Sequence, residues 1–222
     1  MQRRFDLVIF DLDGTLVDNR VAIRENFNHA LAVYGFPRLK DDKIDAMIGT
    51  PLIEMFAKTL PAPSKHLAPK LVDAYVQRYL CTSHVGTVVL ESVTSTLERL
   101  KEDGFKLAVA TTKANETVQP LLQRIGLDKY FDLTTGRREG MRNKPHPDML
   151  NFVTKTLGVK SERTVMVGDT PVDVMTARNA GIYVVVVTSS VALRITTLNM
   201  ILESRPDMTI SSLQELPDIL YI

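Results

Sequence analysis

The sequence predicts an α/β fold: a parallel sheet with helices on both faces, carrying an insert made only of helix. Three observations predict it. From Val88 onward, short apolar runs alternate with helical stretches, the pattern of strands joined by helical crossovers. Gly104, Gly126, Gly158 and Gly181 close those helices, and each is followed by an apolar residue: Phe105, Leu127, Val159 and Ile182. A left-handed glycine with a hydrophobic contact after it is a helix stop. Residues 18–85, in contrast, read as helix throughout, with no strand pattern. The predicted organisation is a core of residues 1–17 and 86–222, with 18–85 as a helical cap expected over the mouth of the site.

The first strand is Leu7 to Phe10, four consecutive apolar residues, which suits a strand buried on both faces. In the insert, Ala22, Ile23, Asn26, Phe27, Ala30, Leu31 and Tyr34 recur at helical spacing until Gly35 and Pro37. Asp41 and Asp42 begin another helix. Gly49-Thr50-Pro51 is a turn before a helix from Leu52 to Leu60, with Pro51 suited to a helix start. Pro61-Ala62-Pro63 breaks that helix, and Ser64 opens a last one reaching Tyr79 or Leu80.

In the core, a helix from Ser92 to Glu102 precedes a strand from Phe105 to Ala110. A helix from Glu116 to Arg124 precedes a short strand, Tyr130 to Leu133, and a polar loop, Thr134 to Pro147. The remaining elements are a helix from Asp148, a strand at Thr164 to Val167, a helix at Val172 to Asn179, a strand at Tyr183 to Val187, and a helix at Val191 to Leu202.

Bulk properties narrow the function. The chain has 222 residues, 45% hydrophobic and 24% charged, enough for one large domain or one with an insertion. A formal net charge of +1 gives no general pull toward nucleic acid or anionic lipid. Cys81 stands alone, so no internal disulfide forms and a cytoplasmic location is expected. No apolar run approaches the ~20 residues that span a bilayer. The expected partner is a small metabolite, with no nucleic acid and no membrane, and the chain is expected to be a monomer or homodimer.

The chemistry gathers at strand ends, where ligands of parallel sheets bind. After the first strand come Asp11 and Asp13. Two carboxylates this close repel and resist desolvation, and Mg2+, which takes hard oxygen ligands, relieves the conflict. Gly14 permits a sharp turn and Thr15 adds a hydroxyl. The next strand ends in Thr111 and Thr112, then Lys113. Lys144 lies in a later loop, within Asn143-Lys144-Pro145-His146-Pro147. Asp169 follows the strand at 164–167, with Asp173 one helical turn on. Carboxylates for a metal, hydroxyls and a lysine suit a phosphoryl group.

In these motifs, DLDGT at 11–15, an apolar run ending in Thr111, Lys144 in NKPHPD and GDTPVD at 168–173, the chain resembles the haloacid dehalogenase-like superfamily of phosphatases. The position of the insert resembles the helical-cap subclass, and within it the phosphoglycolate phosphatases. The resemblance implies a Rossmann-like core. It implies Asp11 as the nucleophile that forms an aspartyl-phosphate, and Asp13 as the acid that protonates the leaving alcohol and then activates water. It also implies Mg2+ on Asp11, the Asp13 carbonyl and Asp169. Thr111, Thr112 and Lys144 would hold phosphoryl oxygens, although the family more often has Asn at position 112, and Asp173 would support the metal waters or Lys144. Dehalogenases lack the second aspartate, so Asp13 points to phosphate esters such as phosphoglycolate.

A sugar phosphomutase of the β-phosphoglucomutase type keeps both aspartates and is the alternative on this scaffold; a non-catalytic binding module is the other. Two more residue sets are candidates for specificity: Arg137, Arg138 and Arg142 in the loop before Lys144, for a second anionic group, and Thr50 in the insert. The chain departs from the family at Val89-Leu90-Glu91-Ser92, where relatives often have a Tyr-Pro-Gly turn, and after residue 187, where relatives often have a Trp-Gly or Gly-rich loop. Ser92 is expected to cap the helix that follows.

Overall fold

A computed structural model describes residues 3–188 and 198–221. They divide into two compact units, one formed by Met1–Asp18 with Val89–Ile222 and the other by Asn19–Val88.

The first unit is built on a six-stranded parallel sheet. Its strands are β1 (Leu7–Phe10), β4 (Lys106–Ala114), β5 (Leu133–Arg137), β6 (Thr164–Gly168), β7 (Tyr183–Val187) and β8 (Met208–Ile210), in the spatial order β5-β4-β1-β6-β7-β8. Alternation along each strand sends side chains to opposite faces, and both faces are dry. Val8, Phe10, Leu107, Val109, Val165, Val167, Val185 and Val187 belong to one apolar cluster, and Leu7, Ile9, Ala108, Ala110, Met166, Val184 and Val186 to another. The helices α5 (Val93–Glu102), α6 (Asn115–Arg124), α7 (Asp148–Leu157) and α8 (Pro171–Asn179) cover these faces. Short helices α9 (Leu198–Glu203) and α10 (Leu216–Ile219) flank β8. The helix expected at 191–202 is described only from Leu198; residues 191–197 lie outside the described set.

The glycine stops form as the sequence implies. Gly104, Gly126, Gly158 and Gly181 have φ of 78°, 73°, 67° and 66°. The amides of the apolar residues after them reach back to close the turn: Phe105 N to Leu100 O (3.0 Å), Leu127 N to Leu122 O (2.9 Å), Val159 N to Thr154 O (3.0 Å) and Ile182 N to Ala177 O (2.9 Å).

Three local expectations are corrected. The strand expected at 130–133 begins at Leu133 and takes in Thr134 to Arg137. Residues 128–130 instead form a 3-10 turn that buries the Tyr130 ring and lets its hydroxyl donate to Glu98 Oε1 at 2.7 Å. Thr134 and Thr135 are β-branched and suit the pleat despite their polarity. β4 continues to Ala114, well past Ala110, with a register shift against β5 between those two residues. Ser92 occupies the N-cap position of α5 but makes no side-chain cap bond, because its backbone sits at φ 64°, in the left-handed region.

The second unit packs α1 (Arg20–Val33), α2 (Asp41–Asp45), α3 (Leu52–Thr59) and α4 (Ala68–Thr82) around one apolar cluster. Phe27 and Phe56 stack with centroids 4.2 Å apart at its centre, and Met47, Met55, Leu71 and Tyr75 join them. The side chain of Asn28 fixes the α1–α2 connection, accepting from Leu39 N (2.8 Å) and donating to Leu39 O (3.1 Å). Two short strands, β2 (Val17–Asp18) and β3 (Val88–Val89), pair as a separate ribbon where the chain passes from one unit to the other. Among the described residues, no helix is long and apolar enough to cross a membrane.

Candidate active site

Register builds the site. Leu7 of β1 pairs with Lys106 of β4 and with Thr164 of β6, and Phe10 with Val109 and Val167. Phe10, Val109 and Val167 therefore lie level, and the residues that follow them share one edge of the sheet. Asp11 follows Phe10, Thr111 lies two past Val109, and Asp169 lies two past Val167. The turn after β1 closes tightly: Gly14 N donates to Val17 O at 2.8 Å, and Leu16 N and Val17 N both donate to Leu12 O at 2.9 and 3.1 Å. Gly14 has φ 92°, and a Cβ there would lie 2.8 Å from Asp169 Cγ. Glycine thus lets the Asp169 carboxylate press against the turn.

Asp11, Asp169 and Asp173 are all buried, and each offers a carboxylate oxygen within 4.8 Å of the others. Lys144, 9% exposed, comes in from the β5–α7 loop and joins two of them: its Nζ donates to Asp11 Oδ1 at 2.6 Å and to Asp173 Oδ1 at 2.7 Å. The second oxygen of Asp173 is also committed. Oδ2 accepts from Thr170 Oγ1 (2.7 Å), Thr170 N (3.1 Å) and Asp169 N (3.3 Å), which completes the capping box at the start of α8. Asp173 is therefore a support for Lys144 and for the turn that carries Asp169. Asp169 Oδ1 accepts from the buried Thr15 hydroxyl at 3.0 Å. Among the described residues, Asp11 Oδ2 and Asp169 Oδ2 accept no protein hydrogen bond.

Electrostatics follow from that geometry. Burial pushes the Asp11 carboxyl up to about 7, against the pull of Lys144, and the charges of Asp173 and Asp13 add to the rise. Burial likewise raises Asp169 well above the usual carboxylate range, helped by Asp173 and Asp11. Burial disfavours the charged form of Lys144, but Asp11 and Asp173 outweigh it and hold the ammonium protonated. Three buried carboxyl groups share one ammonium, so ionising all of them would leave two excess negative charges in a dry site. A divalent cation cancels them, and two carboxylate oxygens are open to it. The residues present fit such an ion.

Asp13 stands apart from the triad. Its Oδ2 pairs with Lys113 Nζ at 3.0 Å. Thr111 is buried, and its Oγ1 accepts from Lys113 N at 3.3 Å. Thr112, next along β4, is half-buried and makes no hydrogen bond to this set among the described residues. The sequence places Lys113 and the Thr15 hydroxyl at the strand ends but assigns neither a partner; the lysine's position directly after the Thr111-Thr112 pair is the one usable signal. Two arginines of the β5–α7 loop have partners on α7: Arg142 clasps Asp148 through Nε (3.0 Å) and Nη2 (2.8 Å), and the Arg138 guanidinium stacks 4.0 Å from the Phe152 ring centroid.

A buried acidic triad with one lysine, at the carboxyl ends of parallel strands, defines a class of hydrolase. The family model for haloacid dehalogenase-like hydrolases matches residues 8–187, and the chain belongs to that family. It is 35% identical over 221 residues to the pyrophosphatase PpaX of Halalkalibacterium halodurans, covering 97% of this chain and 96% of that protein. It is 32% identical over 228 residues to a phosphoglycolate phosphatase of Pasteurella multocida, covering 98% and 99%. A haloacid dehalogenase-like family hydrolase from Streptococcus pneumoniae has the same fold, with a TM-score of 0.83 at 24% identity over 97% of this chain and 98% of that one.

Proposed function

We propose that this chain is a Mg2+-dependent phosphatase that hydrolyses a small phosphorylated substrate through an aspartyl-phosphate on Asp11. The observation that supports it most directly is the state of the Asp11 carboxylate: one oxygen is anchored by Lys144, and the other is open and faces no protein donor. An anchored, desolvated carboxylate is a suitable nucleophile for phosphorus.

An oxygen of Asp11 attacks phosphorus, and the bond from phosphorus to the leaving oxygen breaks. Asp13 gives its proton to that oxygen. In the second half, Asp13 takes a proton from water, whose oxygen attacks the same phosphorus and frees phosphate and Asp11. Lys144 holds equatorial oxygens as negative charge spreads over them, aided by the Thr111 and Thr112 end of β4. Asp11, Asp169 and the Asp13 carbonyl would hold Mg2+, which would supply positive charge to offset that of the phosphoryl oxygens. Asp173 keeps Lys144 in place. The helical segment, residues 18–85, takes the part of the family's cap and contributes to substrate choice.

Pyrophosphate and phosphoglycolate are the first substrates to try, since relatives along the whole chain carry those names. Inorganic phosphate release from each, and from p-nitrophenyl phosphate, is measured with Mg2+ and with EDTA. Release that requires Mg2+ and is abolished in a folded Asp11→Asn variant supports the proposal. No release from any phosphorylated compound refutes it. Isomerised sugar phosphate without net phosphate release points to a mutase.

A further inference from the structure

We infer that Lys113 is a specificity residue that selects substrates whose leaving group carries a negative charge of its own, an inference that rests on the phosphatase reading above. The ammonium of Lys113 lies 3.0 Å from Asp13 Oδ2, and its side chain is only 8% exposed. Asp13 is the group assigned to protonate the leaving oxygen. A general acid works within hydrogen-bond reach of the atom it protonates. Two links of that length place the ammonium within about 6 Å of the leaving oxygen.

The main chain holds Lys113 in this position. Gly136 of β5 lies directly against it, so a Cβ at 136 would sit 2.5 Å from Lys113 O. Gly136 N in turn donates to Asn115 Oδ1 at 3.0 Å, tying β5 to the start of α6 just past Lys113. Thr111 Oγ1 accepts from Lys113 N at 3.3 Å.

The two lysines of the site therefore have separate tasks. Lys144 bridges Asp11 and Asp173, beside the phosphoryl group that transfers, and its remaining donor serves that group. Lys113 is the cation on the side from which the product departs. An ammonium has three donors, so it can hold Asp13 and a substrate anion together. A leaving group with a carboxylate or a second phosphate within two or three bonds of the scissile oxygen fits it. A neutral alcohol leaves that donor without a substrate partner.

The test compares four substrates on the full-length, Mg2+-loaded wild type, Lys113→Met and Lys113→Arg: pyrophosphate, phosphoglycolate, and the neutral-leaving-group esters hydroxyethyl phosphate and ethyl phosphate. Methionine keeps an unbranched side chain of similar length and removes the charge. An effect of the substitution on Asp13 itself strikes phosphoglycolate and hydroxyethyl phosphate alike, since both expel an alcohol of similar basicity, and cancels in their ratio of kcat/KM. In Lys113→Met the ratio of anionic to neutral substrates falls by roughly 10- to 100-fold, mainly through KM, since the charge is met before and during the reaction. Lys113→Arg restores most of the ratio. An equal fold loss on all four substrates overturns the inference while leaving the phosphatase reading intact. Hydrolysis of none of them by the wild type overturns both.

Discussion

Lys144 and Asp11 are 133 positions apart in sequence, yet the lysine Nζ donates to Asp11 Oδ1 at 2.6 Å, with both side chains buried. The same ammonium also holds Asp173 Oδ1, 29 residues further on. Removing it strands two carboxylates in a dry site. Lys144→Met should lower kcat at least ~100-fold and cost about 3 kcal/mol of stability in the metal-free protein. Phosphate-release kinetics and urea unfolding check the two effects separately. A variant with near wild-type turnover would remove Lys144 from the chemistry.

Gly14 predicts a steric effect on the same centre. At φ 92° an added methyl is strained, and it would meet the Asp169 carboxylate. Gly14→Ala should displace Asp169 and weaken Mg2+ activation by about tenfold or more, while Gly35→Ala, whose added Cβ has nothing within 4 Å, should leave activity unchanged. Titration of activity against Mg2+ concentration distinguishes them; an unaltered Mg2+ response in Gly14→Ala would count against the proposed position of the ion.

The pH response of the metal-free protein follows from Asp11. In the unfolded chain this carboxyl titrates at the ordinary value of 3.8, and in the fold at about 7. Between those values the folded state keeps a proton that the unfolded state has released, so stability falls as pH rises through that window. Mg2+ reverses the trend because it binds the ionised form. In EDTA, Tm should fall between about pH 4 and about pH 7, and the rise in Tm on adding Mg2+ should be larger at the higher pH. Asp11→Asn should flatten the EDTA profile. Calorimetry with and without the ion reads all three outcomes.

Ser92 predicts a gain in stability. It lies at φ 64° with no side-chain cap bond, where a non-glycine residue pays ~1–2 kcal/mol. Glycine recovers that strain and loses part of it again through greater freedom in the unfolded chain. Ser92→Gly should stabilise the protein by up to ~1 kcal/mol and raise Tm by about 2–4 °C, with kcat unchanged. A lower Tm would show that the serine side chain stabilises this turn.

Much of the fold is written in near-neighbour patterns. The two-sided burial of Leu7 to Phe10 shows in four successive apolar residues, and the stops at Gly104, Gly126, Gly158 and Gly181 show in a glycine followed by an apolar residue. These signals concern residues within one or two turns of each other, and they held. β5 was misplaced because Thr134 and Thr135 look like loop residues until a neighbouring strand offers them a ladder. The stretch from Tyr130 was misread because burial of one ring and one bond to Glu98 outweighed its strand-like composition.

The residue types of the candidate site were determined by sequence alone: aspartates after β1 and β6, hydroxyls late in β4, and a lysine in the loop after β5. Only the tertiary structure decided how they divide the work. It gave both oxygens of Asp173 to Lys144 and the α8 cap, left one oxygen each of Asp11 and Asp169 open, and set Lys113 against Asp13. The physical reason is range. Strand and helix signals are carried by neighbours in the chain, whereas a hydrogen bond between residues more than a hundred positions apart exists only once strand register has brought them level.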